Sequence, residues 1–420
     1  MVGTTHRADP VRGARSRAVR SAAVVLAAVA VGFLAGRDGS PPWQVARVVA
    51  VAALAFLTVT VIRRGPAWLG GAAAYGAGVV TTAIGAGIGL PHLSKAGWTP
   101  VTVAGLLALS AGILLLVCGA AMVVRRTRRW WRLAVVPALL VISVVSLWSG
   151  TTAVAATNVP PTALEPATPE SHGLAYLDVA LPTGDGVQLS AWYVPSANRA
   201  AVILLHGAGS TRSAVLAHAV VLARHGYGVL LPDARGHGRS GGRAMDFGWY
   251  GDPDVAAALS FLESRADVDP ARIAAVGLSM GGEQAIGAAA GDARLRAVVA
   301  EGATNRVAGD KAFLAEAYGM RGRIQNGIDA LTYTATDLLT ATGPPITLRA
   351  AAGSAAPRPI LLIAAGNVPT EAQAARHIQR GHSNVQVWQA PGAGHTRALS
   401  THPGEWEQQV TEFLAAALPA

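Results

Sequence analysis

The order of hydrophobic and polar positions divides the chain into two unlike parts. Long, almost uninterrupted apolar runs fill the first third, and short apolar runs separated by helical stretches fill the rest. A membrane-spanning helix needs about 20 consecutive, mostly apolar residues. We therefore assign residues 1–156 to a membrane domain of about five helices. The predicted spans lie near Val19–Ala35, Val45–Ile62, Ala67–Leu90, Val101–Val124 and Leu133–Ala153.

The first apolar run has an alternative interpretation as a signal peptide, because it is short and follows a cluster of arginines. No A-x-A-like cleavage site follows it at Gly36–Ser40, and further apolar runs come after it. These two observations favour a span that is retained in the mature protein.

Charge separates the same two parts. Residues 1–150 hold 15 Lys and Arg against two acids, and the remainder holds 19 Lys and Arg against 22 acids. Because basic loops stay in the cytoplasm, five spans place the N-terminus in the cytoplasm and the second part outside the cell membrane. The basic loops contain Arg7, Arg12, Arg15, Arg17 and Arg20, then Arg63 and Arg64, then Arg125, Arg126, Arg128, Arg129 and Arg132. Since the second part is not basic, we do not expect nucleic-acid binding.

Residues 157–171, which read TNVPPTALEPATPES, predict an extended linker because they are rich in Pro, Thr and Ala. In residues 172–420, apolar runs alternate with helical segments, which predicts an α/β fold with a mostly parallel, eight-stranded sheet and helices on both faces. Residues 302–358 form a candidate cap insertion. The predicted strands are Leu174–Leu181, Val187–Val194, Ala201–Leu205, Tyr227–Pro232, Arg272–Gly277, Ala297–Ala300, Ile360–Ala365 and Val385–Gln389.

The strongest chemical motif is a serine between glycines, Gly277-Leu278-Ser279-Met280-Gly281, which follows a predicted strand and opens an Ala-rich helix. A serine on such a tight turn needs small residues two positions before and after it, and its hydroxyl then stands at the top of the sheet. Ser279 is therefore the candidate nucleophile. A serine hydroxyl needs a base to take its proton, and His395, which follows the last predicted strand in a glycine-lined loop, is the candidate.

These motifs occur in the order found in the α/β-hydrolase superfamily. From about Leu174 onward, the chain resembles its dienelactone-hydrolase-like and prolyl-oligopeptidase-like serine hydrolases. The segments that carry the resemblance are His206-Gly207-Ala208-Gly209, the D-x-R-G-H-G-x-S turn from Asp233 to Ser240, the serine turn with Gly277 and Gly281, and Gly392-Ala393-Gly394-His395.

The resemblance implies roles for these residues. Ser279 attacks the substrate, His395 acts as the base, and the backbone N–H groups of Met280 and Ala208 form the oxyanion hole. We expect three further residues to brace turns rather than to transfer protons. They are His206, His237 and Asp233.

The acidic member of the triad is where this sequence departs from the family, which carries an Asp in a Gly-x-x-Asp pattern after the seventh strand. The sequence here continues from Gly366 to Glu371 without an Asp. Our first choice is Glu301, at the end of the sixth predicted strand, and our second is Glu371. A third possibility is that neither glutamate is the acid and that Asp310 or Asp337 takes this role. We expect Glu283 to support the helix that follows Ser279.

The sequence thus predicts a membrane-anchored serine hydrolase that cleaves carboxylic esters, or peptides or amides, through an acyl-Ser279 intermediate. One alternative is an acyltransferase acting on an envelope lipid or glycan, and another is a non-catalytic membrane sensor. We expect a small-molecule or lipid-like acyl substrate and neither a metal nor an organic cofactor. The oligomeric state stays open.

Overall fold

The computed structural model describes residues 41–64 and 66–420, which form two compact units. The first unit ends at Ala155 and also takes in Thr334–Ala341, and the second comprises Ala156–Tyr333 and Thr342–Ala420. The predicted span Val19–Ala35 lies outside the described residues.

The described part of the first unit is built from long apolar helices. They are α1 (Pro41–Arg64), α2 (Ala67–Ala96), α3 (Pro100–Arg126) and α4 (Arg132–Thr157). Among the described residues, three segments are long and apolar enough to cross a membrane, namely Trp68–Ala96, Pro100–Arg126 and Arg129–Thr157. They contain the last three predicted spans. The span Val45–Ile62 falls within α1, which is not one of the three, so the count of five stays a prediction.

Helices α2 and α3 approach each other through small residues. A Cβ atom at Gly112 would lie 2.4 Å from the backbone nitrogen of Thr82, and one at Gly119 would lie 2.3 Å from that of Tyr75. These two contacts are seven residues apart on both helices, so the same face of each helix repeats the contact. Small residues that allow close backbone approach are typical of helix pairs in membranes.

Large apolar side chains remain exposed on the other faces of α3 and α4. They include Leu107, Val117, Leu140 and Val144. Exposed apolar surface on this scale marks a contact with a partner or with lipid, so the described helices have the surface expected of a membrane region.

The second unit contains an eight-stranded sheet in the order β1-β2-β4-β3-β5-β6-β7-β8, in which β2 alone is antiparallel to its neighbours. Each of the eight predicted strands is confirmed, with ends that differ by at most three residues. The strands are β1 (Leu177–Pro182), β2 (Gln188–Val194), β3 (Ala201–Leu205), β4 (Gly228–Pro232), β5 (Ile273–Leu278), β6 (Ala297–Glu301), β7 (Ile360–Ala365) and β8 (Val385–Ala390).

Helices cover both faces of this sheet, and each face has its own hydrophobic core. In β3, Ile203 belongs to one core and its neighbours Val202 and Leu204 belong to the other. This burial on both faces explains why the central strands are continuous apolar runs. The helices are α5 (Leu216–Arg224), α6 (Gly251–Glu263), α7 (Met280–Gly291), α8 (Phe313–Leu339), α9 (Leu348–Ala355), α10 (Pro369–Gln379), α11 (Ala398–Thr401) and α12 (Pro403–Ala417).

The candidate cap insertion, residues 302–358, contains α8 and α9. Helix α8 is interrupted at Gly319, which has a φ of 56°, and its last residues, from Thr334 onward, are counted with the first unit.

The predicted linker is packed rather than free in solvent. Residues 158–168 have no regular secondary structure, and Pro169–His172 form a short 3₁₀ turn. Pro160 and Pro169 are buried, and Leu164 packs against one of the two cores. The segment therefore belongs to the second unit structurally, whereas its composition predicted only a spacer.

Candidate active site

Ser279 stands on a sharp turn between β5 and α7. Its φ of 53° and ψ of −120° are rare for a residue with a side chain. A Cβ atom at Gly277 would lie 2.3 Å from the carbonyl of Gly281, and one at Gly281 would lie 2.5 Å from the carbonyl oxygen of Leu205. Both glycines are therefore required by the close approach of backbone on either side of the serine.

His395 reaches this serine from the loop after β8. Its Nε2 lies 3.0 Å from the hydroxyl oxygen of Ser279, and about half of its side chain is exposed. The next residue, Thr396, has a φ of 52°, which bends the loop directly after the histidine. Because a neutral imidazole accepts a hydrogen bond at one nitrogen, Nε2 is placed to accept the serine proton.

Glu371 lies on the other side of the imidazole. Its Oε1 is 2.6 Å from Nδ1 of His395, and its Oε2 accepts a hydrogen bond of 2.8 Å from the backbone N–H of Ala365. The side chain is buried, in the first turn of α10, where the helix dipole favours a negative charge. Its hydrogen bond is the main reason that the pKa of His395 is raised above the usual value of 6.5.

Glu301, our first choice for the acid, does not fill that place. Its two carboxylate oxygens accept hydrogen bonds from the backbone N–H of Ala398 at 2.8 Å and from the indole N–H of Trp406 at 3.1 Å. The side chain is 3% exposed, and burial raises its pKa. The structure therefore places our second choice, Glu371, against His395, and not Glu301, which points from the end of β6 towards α11 and α12.

Two of the other acids hold loops together. The carboxylate of Asp310 accepts hydrogen bonds from the backbone N–H groups of Arg306, Val307 and Leu348. Burial raises the pKa of Glu283 to about 7, and its carboxyl group accepts hydrogen bonds from the two N–H groups that follow Ala303.

Asp337, the remaining acid considered from the sequence, is exposed and falls in the stretch that is counted with the first unit.

The predicted oxyanion-hole donors flank the serine. Met280 is the first residue of α7, so its N–H has no carbonyl partner within the helix. On the opposite side, a Cβ atom at Gly207 would lie 3.4 Å from Cβ of Ser279. Ala208, the next residue, lines the same cleft as Ser279.

Two histidines brace the turns around this site. Nδ1 of His206 donates to the carbonyl of Gly207, and its Nε2 accepts from the N–H of Ala234. Burial lowers the pKa of His206 to about 4, so the ring is neutral near pH 7, as this pair of hydrogen bonds requires. His237 links the same two segments, because its Nε2 accepts from the N–H of Gly209.

Asp233 orders the turn that ends at Ser240. Its two carboxylate oxygens accept hydrogen bonds of 2.9 Å and 3.0 Å from the backbone N–H groups of Arg212 and Arg239. These contacts match the bracing role that we predicted for it.

Comparisons with known proteins concern the family and the fold of this unit. Residues 196–337 match the family model described as serine aminopeptidase, S33, a segment that includes Ser279. An esterase of Pyrococcus furiosus is 26% identical with a TM-score of 0.50, and the match covers 62% of this chain and 98% of the esterase. With the strand order above, these matches support one superfamily. The chain has the α/β-hydrolase fold.

Curated relatives of this α/β-hydrolase match over shorter segments. An uncharacterized protein of Mycobacterium tuberculosis is 40% identical over 115 residues, which cover 27% of this chain and 40% of the relative. A thiohydrolase of Aspergillus aculeatus is 32% identical over 139 residues, which cover 31% of this chain and 43% of the relative. The chain thus spans less than half the length of the curated relatives that it matches.

A cleft of about 1170 Å³ opens beside Ser279 and His395 in the α/β-hydrolase unit. Apolar residues of α5 and the turn before it form much of one wall, together with Leu278 and Leu399. Glu165, Ala167 and His172, from the predicted linker and the turn that follows it, also line the cleft. The sequence analysis missed these residues, and the only signal for them was the presence of Leu164 and prolines that become buried.

Proposed function

We propose that this α/β-hydrolase is a membrane-anchored serine hydrolase that cleaves carboxylic esters through an acyl intermediate on Ser279. One observation carries the proposal, namely the chain of contacts from Ser279 to His395 at 3.0 Å and from His395 to Glu371 at 2.6 Å. A nucleophile, a base and a group that orients the base are the three parts that acyl transfer to serine requires.

In the first half of the reaction, Ser279 attacks the ester carbonyl carbon while Nε2 of His395 takes the hydroxyl proton. The carbonyl oxygen becomes an oxyanion and receives hydrogen bonds from the N–H groups of Met280 and Ala208. Loss of one such donor costs about 2.7–4 kcal/mol of transition-state stabilisation. When the C–O bond breaks, His395 returns the proton to the leaving alcohol, and the acyl group stays on Ser279.

In the second half, His395 takes a proton from water, and the resulting hydroxide attacks the acyl-Ser279 carbonyl. The acid product leaves, and the proton returns to the serine oxygen. Throughout, Glu371 accepts the Nδ1–H hydrogen bond of His395, which fixes the tautomer with its free lone pair on Nε2. The half-exposed side chain of His395 gives water access to this base.

The relatives support acyl chemistry at a carbonyl carbon. One similar structure is named an esterase, from Pyrococcus furiosus, and one curated relative is named a thiohydrolase, from Aspergillus aculeatus. The name of the matching family model includes aminopeptidase activity, so a peptide is the substrate class to test beside esters.

Labelling with a fluorophosphonate probe tests this function. The full chain in detergent micelles should be labelled and should hydrolyse a p-nitrophenyl ester, and Ser279→Ala should lose both properties. The matched control is Ser210→Ala, because Ser210 lines the same cleft without contacting His395. An unlabelled wild-type chain that is folded by circular dichroism would contradict the proposal and favour a binding role.

We also propose that the membrane helices place the hydrolase unit outside the cytoplasm. Helix α4 begins beside five arginines, Arg125, Arg126, Arg128, Arg129 and Arg132, and ends at Thr157, which the hydrolase unit follows. Basic segments stay on the cytoplasmic side, so the end of α4 lies on the other side. A reporter fused after Ala420 should be active only outside the cytoplasm, and cytoplasmic activity would contradict the orientation.

A further inference from the structure

The segment that leads into the hydrolase unit, residues 159–168, lies at the mouth of the active-site cleft, and we refer to it as the strap. Its middle is tied to the residues around the oxyanion hole. The backbone N–H of Gly238 donates to the carbonyl of Thr162 at 3.1 Å. The hydroxyl of Thr162 donates to the carbonyl of Gly209 at 3.3 Å, next to the proposed donor Ala208.

The second half of the strap is held by packing. Leu164 and Ala167 pack against the core that contains Leu222 of α5 and Leu414 of α12. The strap then ends in the 3₁₀ turn at Pro169, which is buried, and the side chain of Ser171 closes that turn by bonding back to Thr168. The middle and the second half of the strap are therefore fixed on the hydrolase unit.

Ala167 and Glu165 line the cleft together with Ser279. On the same cleft, α5 presents Leu216, Val220 and Val221, and it also contributes His218 and Arg224. A cleft of about 1170 Å³ is far larger than an acetyl group needs and lies just above the usual range of ligand pockets in proteins. The apolar part of its lining suits an extended hydrocarbon chain, because burial of apolar surface is favourable in proportion to its area.

The position of the strap also bears on whether it contacts the acyl half of an ester or the leaving alcohol. The leaving oxygen must face Nε2 of His395, which protonates it. The strap is bonded instead to the oxyanion-hole side of Ser279, through Gly209. This position favours contact of the strap with the acyl half of the ester rather than with the leaving alcohol.

We propose that the strap is a specificity-determining wall, which with α5 selects esters that carry an extended apolar acyl chain. This inference rests on the proposed ester hydrolysis at Ser279. It assigns the strap a second role, beyond joining the last membrane helix to the sheet.

The test compares p-nitrophenyl acetate with p-nitrophenyl octanoate on the full chain in detergent micelles. Wild type should prefer octanoate in kcat/KM. Ala167→Trp fills the cleft, so kcat/KM for octanoate should fall by about tenfold or more while that for acetate stays within about threefold, as expected when a pocket loses room for several methylene groups. The matched control is Ala163→Trp, an exposed strap position that does not line the cleft and should leave both rates near wild type.

Labelling of Ser279 by a fluorophosphonate reports whether each variant has a folded site. If Ala167→Trp is not labelled, Ala167→Leu, a smaller change, takes its place in the same comparison. An unchanged ratio of octanoate to acetate in the labelled variant would overturn the strap inference, and so would an equal loss on both esters. A wild-type chain that neither is labelled nor hydrolyses either ester would overturn the proposed function, and the strap inference with it.

Discussion

Two buried glutamates lie at or beyond the ends of neighbouring strands of the sheet, and their side chains have different partners. Glu301 is the last residue of β6, paired in register with Ile363 of β7. Glu371 comes six residues after the end of β7, in the first turn of α10. A side chain within a strand points to one face of the sheet, whereas a residue in the following helix can lie over the sheet edge. This difference explains why Glu371 contacts His395 and Glu301 contacts Trp406.

Glu301 nevertheless connects the two halves of the site. Its backbone carbonyl accepts a hydrogen bond of 2.7 Å from the N–H of Ser279, and its carboxylate holds the N–H of Ala398, three residues after His395. The comparison therefore separates an acid that contacts the proposed base from an acid that positions the loops carrying the proposed base and nucleophile. Three substitutions and a pH dependence test this distinction.

The largest effect is expected for Glu371→Gln. The amide group would have to face a donor, either the Nδ1–H of His395 or the N–H of Ala365, so the histidine loses the orientation and tautomer that general-base catalysis needs. We expect kcat for ester hydrolysis to fall by about 10⁴-fold, as when an orienting acid in a serine triad becomes an amide. Stopped assays at high enzyme concentration measure the loss, and thermal unfolding checks the fold. A loss below tenfold would contradict the assignment of Glu371.

A smaller loss is expected for Gly302→Ala, directly after Glu301. Gly302 has a φ of 70°, and a Cβ atom there would lie 2.9 Å from Cε1 of His395. The left-handed backbone costs about 1–2 kcal/mol for a residue with a side chain, and the new methyl group displaces the imidazole. Because small misplacements of catalytic groups cost up to about 10²-fold in rate, we expect kcat to fall between tenfold and that limit.

The matched control for this change is Gly404→Ala. Nothing lies within 4 Å of a Cβ atom at that position, and it lies in the first turn of α12, which starts at Pro403. Its activity should stay near wild type. Equal activity of the two alanine variants would show that the loop after β6, which begins at Gly302, does not set the position of His395.

Glu301→Gln should affect stability more than rate. A glutamine side chain can satisfy only one of the two donors, Ala398 N–H and Trp406 Nε1–H, and a buried donor without its acceptor costs about 1–3 kcal/mol. We expect a loss of that size in the free energy of unfolding and a fall in kcat of less than tenfold. Denaturant unfolding followed by the ester assay separates the two effects. A rate loss equal to that of Glu371→Gln, with unchanged stability, would restore Glu301 as the acid.

Much of this molecule could be predicted from its sequence because the physical signals there are local. The central strands are buried on both faces and so read as unbroken apolar runs, and the turn at Ser279 needs two glycines that no other residue could replace without collision. In the first unit, the length and composition of the apolar runs were enough to predict the three described membrane-length helices.

The parts that could not be predicted depend on contacts between distant residues. Whether Glu301 or Glu371 reaches His395 depends on which way a side chain leaves the sheet edge, and both sit in sequence contexts that suit a carboxylate. The strap reads as a linker because Pro, Thr and Ala form no periodic pattern. Its bonds run from Thr162 to Gly209 and Gly238, which are far along the chain and share no sequence signal with it.

The smallest expected effect is a shift in the pH dependence of kcat/KM. The size of this shift compares how strongly each glutamate raises the pKa of His395. The hydrogen bond from His395 to Glu371 is the largest cause that raises the pKa of the histidine, and the more distant charge of Glu301 is a minor one. Because the base must be neutral, kcat/KM should fall as the pH drops through a pKa above 6.5. This limb should move to lower pH in Glu371→Gln and move less in Glu301→Gln, measured as log kcat/KM against pH.

The same ionisation has a definite sign for stability. A histidine whose folded pKa lies above its unfolded value stabilises the fold fully below the unfolded pKa, and this contribution is lost as the pH rises through the folded pKa. The free energy of unfolding, measured between pH 5 and pH 9, should therefore decrease as the pH rises in wild type. The decrease should be smaller in Glu371→Gln. If the kinetic limb and this decrease are the same in wild type and Glu371→Gln, then the contact between Glu371 and His395 does not set the proton affinity of the base, and the distinction between the two acids fails.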